Sequence, residues 1–267
     1  MPRNLARKTS SILPILVAMS MGGCGGSDDA APLSAPIGAI AGVWQVTETS
    51  NNNTCGDTVL PPYPIVISQN GNTINTIVDS TIFLAGTISA GALSLSGTLP
   101  PVTANASGTV AASCNSITGG AINYSVSGPG ACSGAIVFTA ARTLGSGCAG
   151  ALTQTAVAET SAANNTAATA QAVTIPARIS GAHSSGTDDD WYSFTVSATT
   201  PVTIMLTGPV NQDIDLLLAN NVGTTIQSSA TGSNTEAIGR SLTAGTYTVR
   251  VDPFFITGTP AYTLVIQ

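Results

Sequence analysis

The sequence predicts an all-β protein of two units, an N-terminal antiparallel β-barrel of about eight strands followed by a C-terminal β-sandwich. Three observations carry that prediction. Apolar and polar residues alternate at period two in run after run, and no stretch beyond the first two dozen residues holds a helical period. Gly, Asn, Ser and Pro break these runs at short intervals, as turns between antiparallel strands do. Only 7% of the 267 residues are charged and 4% aromatic, which leaves a Thr-, Ser-, Ala- and Gly-rich chain suited to short strands rather than to charge-laced helices.

The first element is a leader. The chain opens MPRNLARKTSSILPILVAMSMGGC, with Arg3, Arg7 and Lys8 ahead of an apolar stretch from Ile12 to Met21. That stretch is shorter than the about 20 apolar residues a bilayer span needs, and the layout is that of a secretory signal over residues 1–23. Met21-Gly22-Gly23-Cys24 resembles a bacterial lipobox. The resemblance implies that Cys24 takes a diacylglycerol thioether and becomes the new N-terminus, with acyl chains holding the protein to a membrane. Gly25 follows where Asp would mark inner-membrane retention in enteric bacteria, so the resemblance points to the outer membrane or cell surface. Residues 24–36, rich in Gly, Ala and Pro, read as a flexible tether.

Charge narrows the partners. The leader holds three of the seven basic residues and none of the thirteen acidic ones, so removing it leaves four against thirteen, a net charge of −9. The four are Arg142, Arg178, Arg240 and Arg250, scattered along the chain; nucleic-acid binding needs clustered cations and is excluded. The membrane through the lipid, an extracellular protein or a glycan remain as partners, and Ca²⁺ as an ion.

Residues 37–150 form the first unit, with strands expected at 42–49, 64–69, 73–79, 81–88, 92–99, 107–113, 121–127 and 134–143. Asn70-Gly71 between two of them is a strong hairpin signal. Four cysteines follow Cys24, an even set suited to an oxidising compartment. Strand parity selects one of three pairings. In an eight-stranded up-and-down barrel, the loop after strand one and the loop before strand eight share an end, and they carry Cys55 and Cys132. The loop after strand six and the tail after strand eight share the other end, with Cys114 and Cys148. The predicted bridges are therefore Cys55–Cys132 and Cys114–Cys148. Zinc fits poorly, because no Cys-x-x-Cys pair exists and the one histidine is remote. Gly42-Val43-Trp44 at the start and Arg142 near the end resemble the lipocalin-like (calycin) barrels, which implies that Arg142 packs over Trp44 and closes the barrel floor by a cation–π contact.

Residues 151–170 read as an Ala/Thr-rich linker and 171–267 as the second unit, with strands at 173–180, 190–197, 201–207, 213–219, 223–228, 235–241, 245–252 and 260–266. Asp188 and Asp190 are two apart, so on a strand they share a face that Tyr192 and Phe194 continue, while Trp191 takes the other side. The ordered elements Asp188-Asp189-Asp190-Trp191-Tyr192-Ser193-Phe194, Asp213-Ile214-Asp215-Leu216, Leu242-Thr243-Ala244-Gly245-Thr246-Tyr247 and Ala261-Tyr262-Thr263-Leu264 resemble the bacterial pre-peptidase C-terminal (PPC) domain, a β-sandwich appended to exported proteins. The resemblance implies a calcium site between the lead-in and the first acidic loop, carried over here to Glu159, Asn164, Asn165, Asp188 and Asp190. Ca²⁺ takes six to eight oxygen ligands; the same carboxylates could instead accept turn amides and stay solvated.

Catalytic patterns are missing. His183 sits in a turn-like Gly-Ala-His-Ser-Ser-Gly stretch and reads as a surface loop histidine, with no G-x-S-x-G elbow and no H-E-x-x-H. The expectation is a non-catalytic exported module whose second domain adheres to a protein, glycan or matrix component. Phe254, Phe255 and Tyr262 are its exposed aromatic candidates, the Phe pair as a loop tip, with packing into the sandwich edge as the other reading. The alternatives are a small-ligand carrier with a barrel cavity lined by Ile65, Ile67, Phe83 and Leu95, and a structural envelope protein.

Overall fold

The computed structural model describes residues 39–78, 82–145, 148, 152–160 and 163–267; the leader, the tether and Cys24 lie outside the described residues. Eight antiparallel strands close into a barrel, each paired with its sequence neighbour and the last returning to the first. They are β1 (Gly42–Asn53), β2 (Tyr63–Asn70), β3 (Thr73–Val78), β4 (Ile82–Ser89), β5 (Ala92–Leu99), β6 (Val102–Val110), β7 (Ser116–Val126) and β8 (Cys132–Leu144). β6 and β7 each begin five residues earlier than expected. Their inward positions there are Val102, Ala104, Ala106 and Ile117, and the two alanines and a bulge between Ile117 and Gly120 blur the alternation.

An eight-stranded barrel is just wide enough for side chains to fill, and this one is filled. Trp44, Ile67, Ile74, Ile88, Ile122 and Phe138 are at most 1% exposed and share one cluster with Ile65 and Leu95. The large rings fit because small residues face them. Gly120 pairs with Phe138 and Gly134 with Tyr124, and a Cβ on either glycine would overlap the ring opposite. Ile65, Ile67 and Leu95 therefore form a core rather than line a carrier's cavity, and Phe83 corrects the expectation outright by pointing outward.

Both predicted bridges are present, Cys55–Cys132 at one end of the barrel and Cys114–Cys148 at the other. The Arg142 guanidinium lies 5.9 Å from the Trp44 ring centroid. Arg142 also donates to the carbonyls of Ala39 and Ala41 and to Asn115 Oδ1, while Trp44 Nε1 donates to Ile40 O at 2.8 Å. Burial lowers the Arg142 pKa.

The second unit stacks two five-stranded sheets. One has the order β10 (Gln171–Ala172), β12 (Asp190–Val196), β17 (Gly245–Phe255), β14 (Asp213–Asn220), β15 (Thr225–Ser229); the other runs β16 (Thr235–Leu242), β13 (Thr200–Thr207), β18 (Ala261–Ile266), β11 (Ala177–Ala182), β9 (Thr155–Ala158). The expected linker is thus in part a correction. Thr155–Ala158 pair in parallel with Ala177–Ser180, so the lead-in belongs to the sandwich; one Thr and two Ala beside Val157 carry too little apolar signal to be read as a strand. Among the described residues, no helix is long and apolar enough to cross a membrane.

The outer face of the second sheet lies against the barrel. Met205 and Val265 meet Ile77, with Val66, Phe83 and Ala237 packed around them. A Cβ on Gly239 would collide with Val43. At one edge the amides of Gln154 and Gln267 meet at 2.8 Å and Gln154 Nε2 donates to Gln69 O at 3.0 Å. This contact explains why Val202 to Leu206 is buried without alternation: one face of β13 fills the sandwich and the other meets the barrel.

Candidate functional site

The D-D-D-W-Y-S-F stretch is positioned by the start of β12. Asp190 is the first strand residue and points inward with Tyr192 and Phe194, so all three are at most 2% exposed, while Trp191 takes the outer face. Asp188 lies in the turn before the strand, 5% exposed. Its Oδ2 accepts from Ser184 N at 2.6 Å. That bond is the expected turn capping, but neither carboxylate is solvated.

His183 corrects the surface-loop expectation, being fully buried. It follows the end of β11, and its ring packs on Tyr262 with centroids 5.0 Å apart. Its Nδ1 lies 2.7 Å from Asp188 O and 3.2 Å from Asp190 Oδ2. Tyr262 is a second correction. It is 3% exposed, because it faces inward from β18. Its hydroxyl donates to Asp190 Oδ2 at 2.7 Å and meets the Tyr192 hydroxyl at 2.7 Å. Gly181 leaves room for that ring, since a Cβ there would overlap it. Burial first, then the neighbouring tyrosine and Asp190, push the Tyr262 hydroxyl far up its scale.

The lead-in completes the centre. Asn164 is 1% exposed; its backbone carbonyl accepts from Trp191 N at 2.8 Å, which binds the lead-in to β12. Glu159 Oε2 accepts from Ala182 N at 2.9 Å. Burial first, and then contact with the Asp190 carboxyl, raise Glu159 to about 7. Asp190 Oδ1, Asn164 Oδ1 and His183 Nε2 are buried with no protein partner. Ligand atoms of His183, Asp188 and Asp190 fall within 4.8 Å of one another. The structure thus brings Glu159, Asn164, Asp188 and Asp190 together, whereas Asn165 is exposed. An orphaned carboxylate oxygen, an orphaned amide oxygen and two further carboxylates fit a hard, oxygen-preferring cation such as Ca²⁺. His183 was missed as a member. Its signal was being the only histidine, five residues ahead of an acidic triplet.

The outer face of the first sheet carries a second set of charges. Arg250 Nη2 donates to Asp189 and Asp252, both at 2.9 Å. Asp215 pairs across the ladder with Asp252. Burial, then Asp213, Asp252 and Glu236, raise Asp215 to about 6, against the lowering pull of Arg250. Phe254 and Phe255 end β17 rather than sitting on a separate loop tip, and they are 72% and 62% exposed. The edge-packing reading for this pair does not hold.

A filled antiparallel barrel joined to a two-sheet sandwich with an acidic strand entry defines a two-domain, all-β protein. Residues 188–253 match the family model of the bacterial pre-peptidase C-terminal domain. The match lies wholly within the second unit, which therefore carries a PPC domain over those residues. Among solved structures, the pre-peptidase C-terminal domain of collagenase from Bacillus anthracis is 17% identical, with 37% of this chain and 94% of that one covered at a TM-score of 0.33. Aeromonas hydrophila PliG, a periplasmic inhibitor of g-type lysozyme, is 11% identical over 42% of this chain and 100% of its own, at 0.25. A β-porphyranase of glycoside hydrolase family 86 from Bacteroides plebeius is 12% identical over 70% of this chain and 38% of its own, at 0.22. No curated protein matches the sequence.

Proposed function

We propose that this protein is an exported, lipid-anchored, non-catalytic adhesion module, held at the outer membrane or cell surface through Cys24. The PPC domain makes the contact with a protein, glycan or matrix polymer. The observation that carries this reading is the adjacent pair Phe254 and Phe255, at 72% and 62% exposure the only two phenylalanines among the exposed large hydrophobics of the described residues. Neighbouring exposed rings at a strand end are the kind of anchor that dominates binding interfaces. Calcium held by Glu159, Asn164, Asp188 and Asp190 would neutralise the facing carboxylates and lock the lead-in onto β12. The filled barrel core gives a small-ligand carrier no internal room.

Co-sedimentation of the mature chain with insoluble collagen and with peptidoglycan tests the reading. Wild type is expected to pellet with at least one polymer, and Phe254→Ser/Phe255→Ser to bind at least tenfold more weakly. Equal binding by the double variant removes the pair from the site. The calcium component is read separately. At a hundredfold excess over Kd, a bound ion stabilises by about 2.7 kcal/mol, so a melting temperature that ignores added Ca²⁺ refutes it.

A further inference from the structure

The barrel holds a second acidic centre, unrelated in sequence to the first. Within residues 39–150 the sequence has three carboxylates, Glu48, Asp57 and Asp79, and one basic residue, Arg142. Glu48 and Asp57 act on each other and both act on Tyr124, whereas Arg142 lies on the floor beside Trp44. Glu48 points inward from β1 and is 3% exposed. Asp57 arrives on the segment 54–62 that leads from β1 to β2. That segment is pinned by Cys55–Cys132 and by Asn53, whose Oδ1 accepts from Cys55 N at 2.9 Å and Asp57 N at 3.0 Å and whose Nδ2 donates to Asp57 O at 2.8 Å.

Each carboxylate is half satisfied. Glu48 Oε2 accepts from Leu60 N at 3.1 Å, and Asp57 Oδ2 accepts from the Tyr124 hydroxyl at 2.8 Å. Glu48 Oε1 and Asp57 Oδ1 are buried with no protein partner. Two like charges with orphaned oxygens and no described basic residue beside them are costly in a protein interior. Burial, opposed by the Leu60 amide and reinforced by Asp57, raises Glu48 to about 7.

We infer that this end of the barrel binds a divalent cation between Glu48 Oε1 and Asp57 Oδ1, with water completing the shell. The donors are all oxygen, which selects a hard ion of the calcium type over zinc or copper. The site closes segment 54–62 over the barrel, and it is separate from the PPC centre.

Calorimetric titration of the mature chain with CaCl₂ tests it, comparing wild type, Glu48→Gln, Asp57→Asn and Asp188→Asn. Glu48→Gln and Asp57→Asn are each expected to lose one binding event or to weaken it at least tenfold, while Asp188→Asn keeps it. Both barrel variants remove an unpaired buried charge, so their calcium-free melting temperatures are expected to hold or rise. Unchanged stoichiometry and affinity in Glu48→Gln would overturn the inference, as would loss of all calcium heat in Asp188→Asn. In NMR, the side-chain carboxyl carbon of Glu48 shifts on calcium addition at pH 7; a carbon that titrates with pH and ignores calcium means a proton fills the site, and contradicts the proposal.

Discussion

The seam between barrel and sandwich predicts that the two domains unfold as one. Its centre is three side chains, Met205, Val265 and Ile77, at 3%, 4% and 7% exposure. Burying a side chain of this size is worth about 1.5–3 kcal/mol, so the three together contribute about 5–9 kcal/mol, an upper range because denatured chains already bury part of this surface. Met205→Ala leaves a cavity lined by Ile77 and Val265 and costs about 2–5 kcal/mol. In a protein of this size each kcal/mol lowers Tm by about 2–4 °C, giving an expected drop of about 4–20 °C. Met205→Asp goes further, since its carboxylate meets the apolar cluster of Ile77, Val66 and Phe83 and no described basic residue belongs to that cluster. Differential scanning calorimetry should show one transition for wild type, a lower single transition for Met205→Ala, and two for Met205→Asp as the domains part. Two resolved transitions in wild type, or a Met205→Asp trace that overlays it, would refute the coupling.

Two further outcomes follow from the same structure. Cys55–Cys132 closes a span of 77 residues and Cys114–Cys148 one of 34, for which chain entropy gives about 4.5 and 3.8 kcal/mol. Cys55→Ala/Cys132→Ala should therefore melt far below wild type and slightly below Cys114→Ala/Cys148→Ala; a loss of less than a degree in either would contradict the framework. Asp215 titrates at about 6 when folded against about 3.9 when unfolded. Its raised value means that the folded state holds the proton more tightly, so this stability is fully present below pH 4 and lost as pH rises through 6. Asp215→Asn should match wild type at pH 4 and melt higher at pH 7; equal melting at both values would show that the carboxylate is not strained.

Much of the fold was legible because it rests on local pattern. Alternation and turn chemistry located the barrel strands, and parity alone then chose the two disulfides, since strand order decides which loops share an end. Alternation failed where a second surface interfered. Val202 to Leu206 is buried on both faces, and Phe83 looks like a barrel-lining residue until the sandwich is present to receive it. Of the PPC centre, Asp188 and Asp190 were readable from spacing, and Glu159 and Asn164 only through the family resemblance. His183 was not, because its loop has the composition of an exposed turn, and its burial comes from tertiary packing against Tyr262, Asp188 and Asp190. Glu48 and Asp57 were invisible for the same reason: nothing in a lone Glu and a lone Asp nine residues apart announces that a disulfide-pinned segment will press them together.

The proposed function rests most on export and on acylation of Cys24, which would place both disulfides in an oxidising space and both domains outside the cytoplasm. Intact-mass spectrometry of the protein extracted from membranes of its native host tests this directly. The predicted mass is that of residues 24–267 with a diacylglyceryl group on Cys24 and four thiols oxidised as two bridges. A soluble, unacylated chain that still begins at Met1, with Cys55, Cys114, Cys132 and Cys148 all reduced, would contradict it.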